Sequence, residues 1–443
     1  MVFRRKIYEE LLAWKRSSDG HTAILIQGAR RVGKSTVAEE FARNEYDTYI
    51  LVDFAACSTE IKDLFNDISD LSRIFMRLQL EYGVELKKRK SVIIFDEVQF
   101  APKARQAIKF LVKDGRYDYI ETGSLISIRK HVEGILIPSE EVKVNMYPMD
   151  YEEFKWALGD TGTVNLLRKC FHDRISLGDG ANRKLMRDFR LYMLIGGMPQ
   201  AVATFIETNN LEKVDAMKRA IITLYEDDFN KIDPSGVASK MFHQIPAQLT
   251  TNANRYQAWS ATDGIRVSGL AEILSEIKES MVVNMAYHAN DPNVGLALHL
   301  DSSRYKMYAG DTGLFITLAF WDRKFTDNSI YHKLLSDKLS ADLGYVYENV
   351  VAQMLKAAGH ELYYYTFPTD SGKHNYEIDF LIADDYKISP IEVKSSGYKT
   401  HASLDAFCDK FSPRINHKYL VYTKDLRKDA DMLYLPVYMT MFI

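Results

Sequence analysis

The sequence predicts an α/β protein of at least two domains, the first built on a parallel sheet. Three observations carry that expectation. The chain has 443 residues, past the size at which one hydrophobic core usually stops growing. Short apolar runs of strand type, at Ala23 to Ile26, Thr48 to Asp53 and Val92 to Phe95, alternate with segments whose apolar residues recur at helical spacing. That order is expected of a sheet with helices on both faces. Three further strand-like pieces, ELYYYTF, NYEIDFLIAD and ISPIEVKSS, come only after a long helical stretch and are assigned to a separate C-terminal domain.

Apolar residues make up 47% of the chain and charged residues 26%, ordinary proportions for a globular protein. Lys plus Arg number 57 and Asp plus Glu 60, a formal charge of -3. This argues against binding nucleic acid by sheer positive field while leaving room for a local basic groove. Cys57, Cys170 and Cys408 are too few and too far apart for a disulfide framework or a thiolate zinc site, and a reducing, cytoplasmic setting is expected. The opening MVFRRKIYEELLAWK interleaves Val2, Phe3, Ile7, Leu11, Leu12 and Trp14 with charge, which predicts an amphipathic helix rather than a signal peptide. No later run reaches the ~18 apolar residues of a membrane span, so no membrane insertion is expected.

Between the first strand and a helix marked by Val37, Ala38, Phe41 and Ala42 lies Gly28-Ala29-Arg30-Arg31-Val32-Gly33-Lys34-Ser35-Thr36. It matches G-x-x-x-x-G-K-[ST] in the strand-before, helix-after context that the motif needs. The glycines let the backbone curl around phosphate oxygens, and the helix N-terminus adds unpaired N–H donors. Lys34 reaches the β and γ phosphates and Ser35 puts its hydroxyl on magnesium. The segment is therefore the candidate site for a nucleoside triphosphate with Mg2+. The strand Val92 to Phe95 ends in Asp96-Glu97, at the edge where ligands bind in open parallel sheets. Asp96 is the candidate for the magnesium shell and Glu97 for polarising the attacking water; alone, such a pair would read as a solvated turn. ARQAIKFLVKDGR reads as a helix and YDYIETGSLISI as a fourth strand ending near Thr122-Gly123-Ser124. Ser124 is there either a γ-phosphate sensor or a helix cap.

The pieces GARRVGKST, SVIIFDEVQ, TGSLISI, VNMYPMDYEEFKWALG and GGMPQAV stand in this order across most of the first 230 residues. They resemble the prokaryotic AAA-like P-loop NTPase family that joins an ATPase domain to a C-terminal DUF4143 domain. The motifs do not separate adenine from guanine; the resemblance implies ATP. It also implies an ATPase core over 1–180, a helical lid over 181–235 that closes on nucleotide, a winged-helix-like segment over 236–305 and a DUF4143 domain over 306–443. Many relatives carry a Gly-Arg pair where this chain has IPSEEVKVNMYP, which puts a trans-acting arginine in doubt and leaves Arg30, Arg31 and Arg129 as candidates by charge alone. In the winged-helix-like segment, AEILSEIKES carries as much acid as base, so docking to a protein or another domain is favoured over contact with DNA. RYKMYAGDTGL resembles the family's Lys-x-Tyr-x-x-Asp-x-Gly-Leu signature.

Further on, ADLGYVYENVVAQMLKAAG reads as an amphipathic helix bearing Glu348, and the turn GKHNY suggests an antiparallel pair. Glu392 and Lys394 are two apart on one strand and face the same side, where Asp379 of a neighbouring strand can join them. Two carboxylates and an ammonium in one patch suit Mg2+ or Mn2+ on Asp379 and Glu392, with Lys394 steadying a water or developing charge and Glu348 completing the set. The pattern resembles a restriction-endonuclease-like core. The alternative is a solvated strand face over apolar Ile378, Phe380, Ile391 and Val393. KYLVYT and LPVYMTMF read as closing strands.

The function expected is an Mg-dependent ATPase with Lys34, Glu97 and Ser124 at its centre, whose nucleotide state sets the posture of the C-terminal domain. Two alternatives stay open. One is an ATP-regulated, metal-dependent DNA nuclease working through Glu348, Asp379, Glu392 and Lys394; the other is a nucleotide-switched scaffold that binds a protein partner or a second copy of itself.

Overall fold

In the computed structural model, residues 1–124, 139–251, 256–257, 267–336, 343–369 and 371–443 are described. The chain divides into two compact units: Met1–Tyr147 with Glu279–Met281, and Pro148–Lys278 with Val282–Ile443.

The first unit opens with helix α1 (Ile7–Ser18), whose buried stripe of Ile7, Leu11 and Trp14 is the one its spacing predicts. Strand β1 (Ala23–Gln27), helix α2 (Lys34–Glu45), strand β2 (Thr48–Asp53), helices α3 (Thr59–Asp63) and α4 (Leu71–Tyr82), strand β3 (Ser91–Asp96), helix α5 (Pro102–Asp114) and strands β4 (Asp118–Gly123) and β5 (Glu141–Asn145) follow. The five strands are all parallel, in the order β2-β3-β4-β1-β5. Every residue of β1, β3 and β4 is buried, as expected of strands covered on both faces. Leu25, Val52, Ile93 and Phe95 pack with Phe54, Phe65, Phe75 and Ile108 in one core. That core holds the C-terminal strand ends in register, so the loops after β1, β3 and β4 emerge side by side. Arg129 and the stretch following Ser124 lie outside the described residues.

The second unit begins with helices α6 (Tyr151–Ala157), α7 (Thr163–Asp173), α8 (Asp179–Ile195), α9 (Pro199–Thr208) and α10 (Leu211–Ile232). Asp150 and Glu153 form a reciprocal capping box at the start of α6, and Pro199 sits in the first turn of α9, where its missing N–H costs nothing. Then come α11 (Val237–His243), α12 (Ile245–Thr250), α13 (Val267–Glu279), strands β6 (Val283–Ala289) and β7 (Leu300–Ala309), and helices α14 (Thr312–Leu318), α15 (Ser329–Leu335) and α16 (Gly344–Ala357). Strands β8 (Leu362–Pro368), β9 (Asn375–Asp384) and β10 (Lys387–Val393), helix α17 (Ala402–Phe411) and strands β11 (Lys418–Tyr422), β12 (Arg427–Asp429) and β13 (Met432–Pro436) complete it.

Eight strands form one mixed sheet in the order β12-β13-β11-β10-β9-β8-β6-β7. The GKHNY turn does join an antiparallel pair, with Pro368 opposite Asn375. The sheet starts earlier than expected: β6 pairs in parallel with β8, so residue 306 falls inside β7 rather than at a boundary. The end also differs from expectation, because LPVYMTMF is strand only through Pro436 and then turns into a 3-10 helix, Val437–Phe442. Pro436 has no N–H with which to continue a ladder.

The helices expected as a lid are packed into this second unit, where α8 and α10 both lie against α14. Asp311 fastens them. Its Oδ2 accepts from Gly197 N at 2.5 Å and its Oδ1 from Leu314 N at 2.9 Å, capping α14. Gly196 has φ 83, and a Cβ there would lie 2.3 Å from Asp311 Oδ1. A Cβ on Gly313 would lie 2.6 Å from Gly196 Cα. Only glycine fits at such a crossing, which gives a physical reason for the Gly-Gly and Asp-Thr-Gly sequences. Beneath it, fully buried Lys218 donates to Leu194 O at 2.7 Å, to Gly313 O at 3.1 Å and to the Tyr331 hydroxyl. Burial pushes its ammonium down to about 8, against the opposing pull of Asp215 and Asp311.

Candidate functional site

The loop between β1 and α2 winds through two left-handed positions, Arg31 at φ 69 and Gly33 at φ 99. A Cβ on Gly28 would lie 2.3 Å from Met146 O, so the loop can approach the chain leaving β5 only with glycine there. Lys34 is buried, and its Nζ donates to Gly28 O at 3.1 Å and Ala29 O at 3.0 Å. The ammonium is thereby held inside the curl of the loop. Val32 O accepts from Arg5 at 2.7 Å, and the same guanidinium donates to Tyr147 O at 2.6 Å. Arg30 is half-buried, while Arg31 and Thr36 are exposed.

Because β4 lies between β1 and β3, the end of β4 stands beside Asp96. Ser35 Oγ donates to Asp96 Oδ1 at 2.7 Å, and Thr122 Oγ1 donates to the same oxygen. Thr122 Oγ1 in turn accepts from Glu97 N at 3.2 Å. Glu97 has φ 51, a left-handed backbone uncommon outside glycine and worth a functional question. Its carboxylate accepts from Gln99 Nε2. The structure thus brings Lys34, Ser35, Asp96 and Glu97 to one edge of the sheet. Ser124 lies just beyond β4, half-buried, and the hydrogen bonds to Asp96 and Glu97 at this strand end come from Thr122 instead. Thr122 stands in the sequence as one residue of a polar strand end; its role follows from the β3–β4 register, Phe95 opposite Glu121. A serine hydroxyl bonded directly to an aspartate oxygen is a hard oxygen donor set, and it fits Mg2+.

The C-terminal candidates also converge, in a different way. Lys394 Nζ lies 2.7 Å from Glu392 Oε1, and Asp379 Oδ2 accepts from Val393 N at 2.7 Å. Lys306, from β7, pairs with Glu377 and stands 4.0 Å from Glu348 Oε2. Helix α16 packs against β10, and every residue of β10 after Lys387 is buried. Of Asp379, Glu392 and Lys394 only Glu392 is buried: its side chain is 5% exposed against 30% for Lys394, Asp379 is half-buried, and Glu392 Oε2 has no hydrogen-bond partner among the described residues. Burial pushes the Glu392 carboxyl up to about 8, helped by the Asp379 charge and opposed by Lys394. Burial likewise pushes Glu348 up to about 8, opposed by Lys306. Among the described residues, no group of three or more His, Cys, Asp or Glu is placed to hold a metal ion. As placed, the acids of the cluster meet its own lysines, Glu392 with Lys394 and Glu377 with Lys306.

With both sites described, the class is plain: the first unit is a parallel α/β P-loop domain of the ATPase type. Residues 20–155 match the family described as an AAA domain, residues 186–324 a domain of unknown function, DUF8612, and residues 343–439 another, DUF4143. The chain accordingly joins an AAA-type domain to a C-terminal DUF4143 domain. No curated protein matches the sequence. Among solved structures, it is similar to a Walker-type ATPase of Pyrococcus abyssi at 15% identity, over 72% of this chain and 96% of that one, TM-score 0.43. It is similar also to a STAND protein with a tetratricopeptide repeat sensor from Pyrococcus horikoshii, at 11% identity over 80% and 48%, TM-score 0.26. A third is Cdc6p from Pyrobaculum aerophilum, at 13% identity over 77% and 97%, TM-score 0.24. No described helix is long and apolar enough to cross a membrane.

Proposed function

We propose that the protein binds ATP with Mg2+ and hydrolyses it, and that the nucleotide state sets the posture of the C-terminal domain. The observation that carries the reading is the hydrogen-bonded row of Ser35, Asp96 and Thr122 at the strand end that also presents Glu97, beside the loop that encloses Lys34. Lys34 trades its loop carbonyls for β- and γ-phosphate oxygens when nucleotide enters, and the backbone N–H groups at the start of α2 take further phosphate oxygens. Bound Mg2+, held by Ser35 and Asp96, would neutralise charge that develops on the phosphates. Glu97 orients the attacking water and takes its proton. The link to the second unit is supported by Arg5, which ties the phosphate loop at Val32 to Tyr147, the residue before the second unit begins.

Phosphate release from ATP is the test. Lys34→Ala should abolish both binding and turnover, whereas Glu97→Gln should keep binding and lose about 100- to 10,000-fold in turnover, the range of a positioned general base. No Mg-dependent turnover at micromolar protein would sink the ATPase reading and leave nucleotide binding. The nuclease alternative draws only on the convergence of Asp379, Glu392 and Lys394. Mn-dependent DNA cleavage lost in Asp379→Ala would establish it, and no cleavage by the unmodified protein would assign that cluster to stability.

A further inference from the structure

Hydrolysis needs a water held in line with the γ phosphorus, and a single carboxylate restrains only one of its two hydrogens. Gln99, on the short turn Val98–Phe100 that follows Glu97, offers the second restraint. The residue is 4% exposed, and its Nε2 donates to Glu97 Oε2. An ionised carboxylate can only accept, so the NH2 end of the amide must face Glu97 and the oxygen end must point elsewhere. That oxygen, Oε1, is buried with no hydrogen-bond partner among the described residues. Native interiors rarely leave such an acceptor unpaired without a use for it. Glu97 is meanwhile gripped at its backbone, through the 3.2 Å bond from its N–H to Thr122. Backbone and carboxylate are both restrained before any nucleotide arrives.

We propose that Gln99 is a second water-positioning residue of the nucleotide site: Nε2 fixes the Glu97 carboxylate, and Oε1 accepts the hydrogen of the attacking water that Glu97 does not take. The inference rests on the ATPase reading above. In the step, the water oxygen bonds to the γ phosphorus and the bond from that phosphorus to the β,γ-bridging oxygen breaks. The bridging oxygen leaves with the electron pair, on ADP. One water proton passes to Glu97, and the hydrogen held by Gln99 stays on the oxygen that becomes part of inorganic phosphate. Gln99 itself exchanges no proton.

The test uses the full chain and three readouts: steady-state phosphate release, affinity for a non-hydrolysable ATP analogue with Mg2+, and the thermal midpoint. Gln99→Leu removes donor and acceptor, while Gln99→Glu exchanges the NH2 for a second carboxylate oxygen set against Glu97. Each should lower kcat by about tenfold or more with ATP KM and analogue affinity nearly unchanged; the midpoint should hold in Gln99→Leu and fall in Gln99→Glu, where two carboxylates meet at a buried position. Glu97→Gln combined with Gln99→Leu should lose little more than Glu97→Gln alone, because residues that hold one water act as a unit. If Gln99→Leu does not fold, Gln99→Glu, nearly the same size, carries the comparison. Turnover within about twofold of the unmodified protein in the Gln99 variants would overturn the inference and leave the ATPase reading standing. So would losses that simply multiply in the double variant, or a kcat that falls only together with analogue affinity and midpoint. Absence of turnover in the unmodified protein would overturn both.

Discussion

The phosphate-loop edge of the first unit and the carboxylate cluster of the second are built from the same residue types and treat their charge in opposite ways. At the first, Asp96 and Glu97 are met by neutral groups: the hydroxyls of Ser35 and Thr122 and the amide of Gln99. Neutral donors hold a carboxylate in place without cancelling its charge, so the edge stays ready for a cation and a polarised water. At the second, Glu348, Glu377, Asp379 and Glu392 share a half-buried patch with Lys306 and Lys394, and two of the acids are pushed up to about 8. The same residue types therefore meet neutral donors in one unit and ammonium groups in the other.

Removing one polar partner from each unit's cluster should expose the contrast most strongly. Lys306→Met leaves Glu377 and Glu348 without their nearest cation in that patch, and about 3 to 5 kcal/mol of unfolding free energy should be lost, read by urea denaturation. Ser35→Ala, by contrast, should change stability by about 1 kcal/mol or less while weakening Mg-dependent nucleotide binding. Equal destabilisation by the two would erase the distinction. Smaller in effect, Asp311→Ala strips acceptors from Gly197 N and Leu314 N and should cost about 2 kcal/mol, with nucleotide affinity untouched if the second unit alone is concerned. A pH slope gives a further check on the second unit. The folded state gives up the Lys218 proton at about 8, below the ordinary 10.5. Between these values the unfolded chain binds more protons, so stability contributed by this group rises with pH across that window. Between pH 8 and 10.5 the unmodified protein should gain stability relative to Lys218→Met, read as denaturation midpoints, and no relative gain across that window would refute the lowered ammonium.

The nucleotide edge was largely legible because its signals are local: Gly28 to Ser35 follow one another, and Asp96-Glu97 end a strand that announces itself by four apolar residues. Thr122 and Gln99 were not assigned roles, since one depends on β4 lying beside β3 and the other on how the chain turns after Glu97. The spacing of Glu392 and Lys394 puts them on one side of a strand that a neighbouring Asp379 can join, yet no such spacing points to Lys306. It arrives from a strand 71 residues before its partner Glu377, and nothing in its neighbourhood hints at that pairing. The tie of Gly197 to Asp311, across 114 residues, is likewise invisible to any window-based reading. So is the switch from strand to 3-10 helix at Val437, which frees Tyr438 to donate to Asn182 Oδ1 at 2.8 Å.

That last contact bears on how the polypeptide matures on the ribosome. Asn182 meets Tyr438 across 256 residues, and the Ser176 hydroxyl meets Asp425 across 249. Nearly all of the first unit has been synthesised once Tyr147 is made, so its sheet can close early, whereas α7 and α8 must wait, with apolar faces uncovered, for the closing strands of the chain. Long-range partners of this kind slow folding and lengthen exposure to aggregation. A recombinant fragment cut near residue 235 to isolate the ATPase with its helices would hold those helices permanently at that unfinished stage, while one ending near Tyr147 would part the chain where the two units themselves divide.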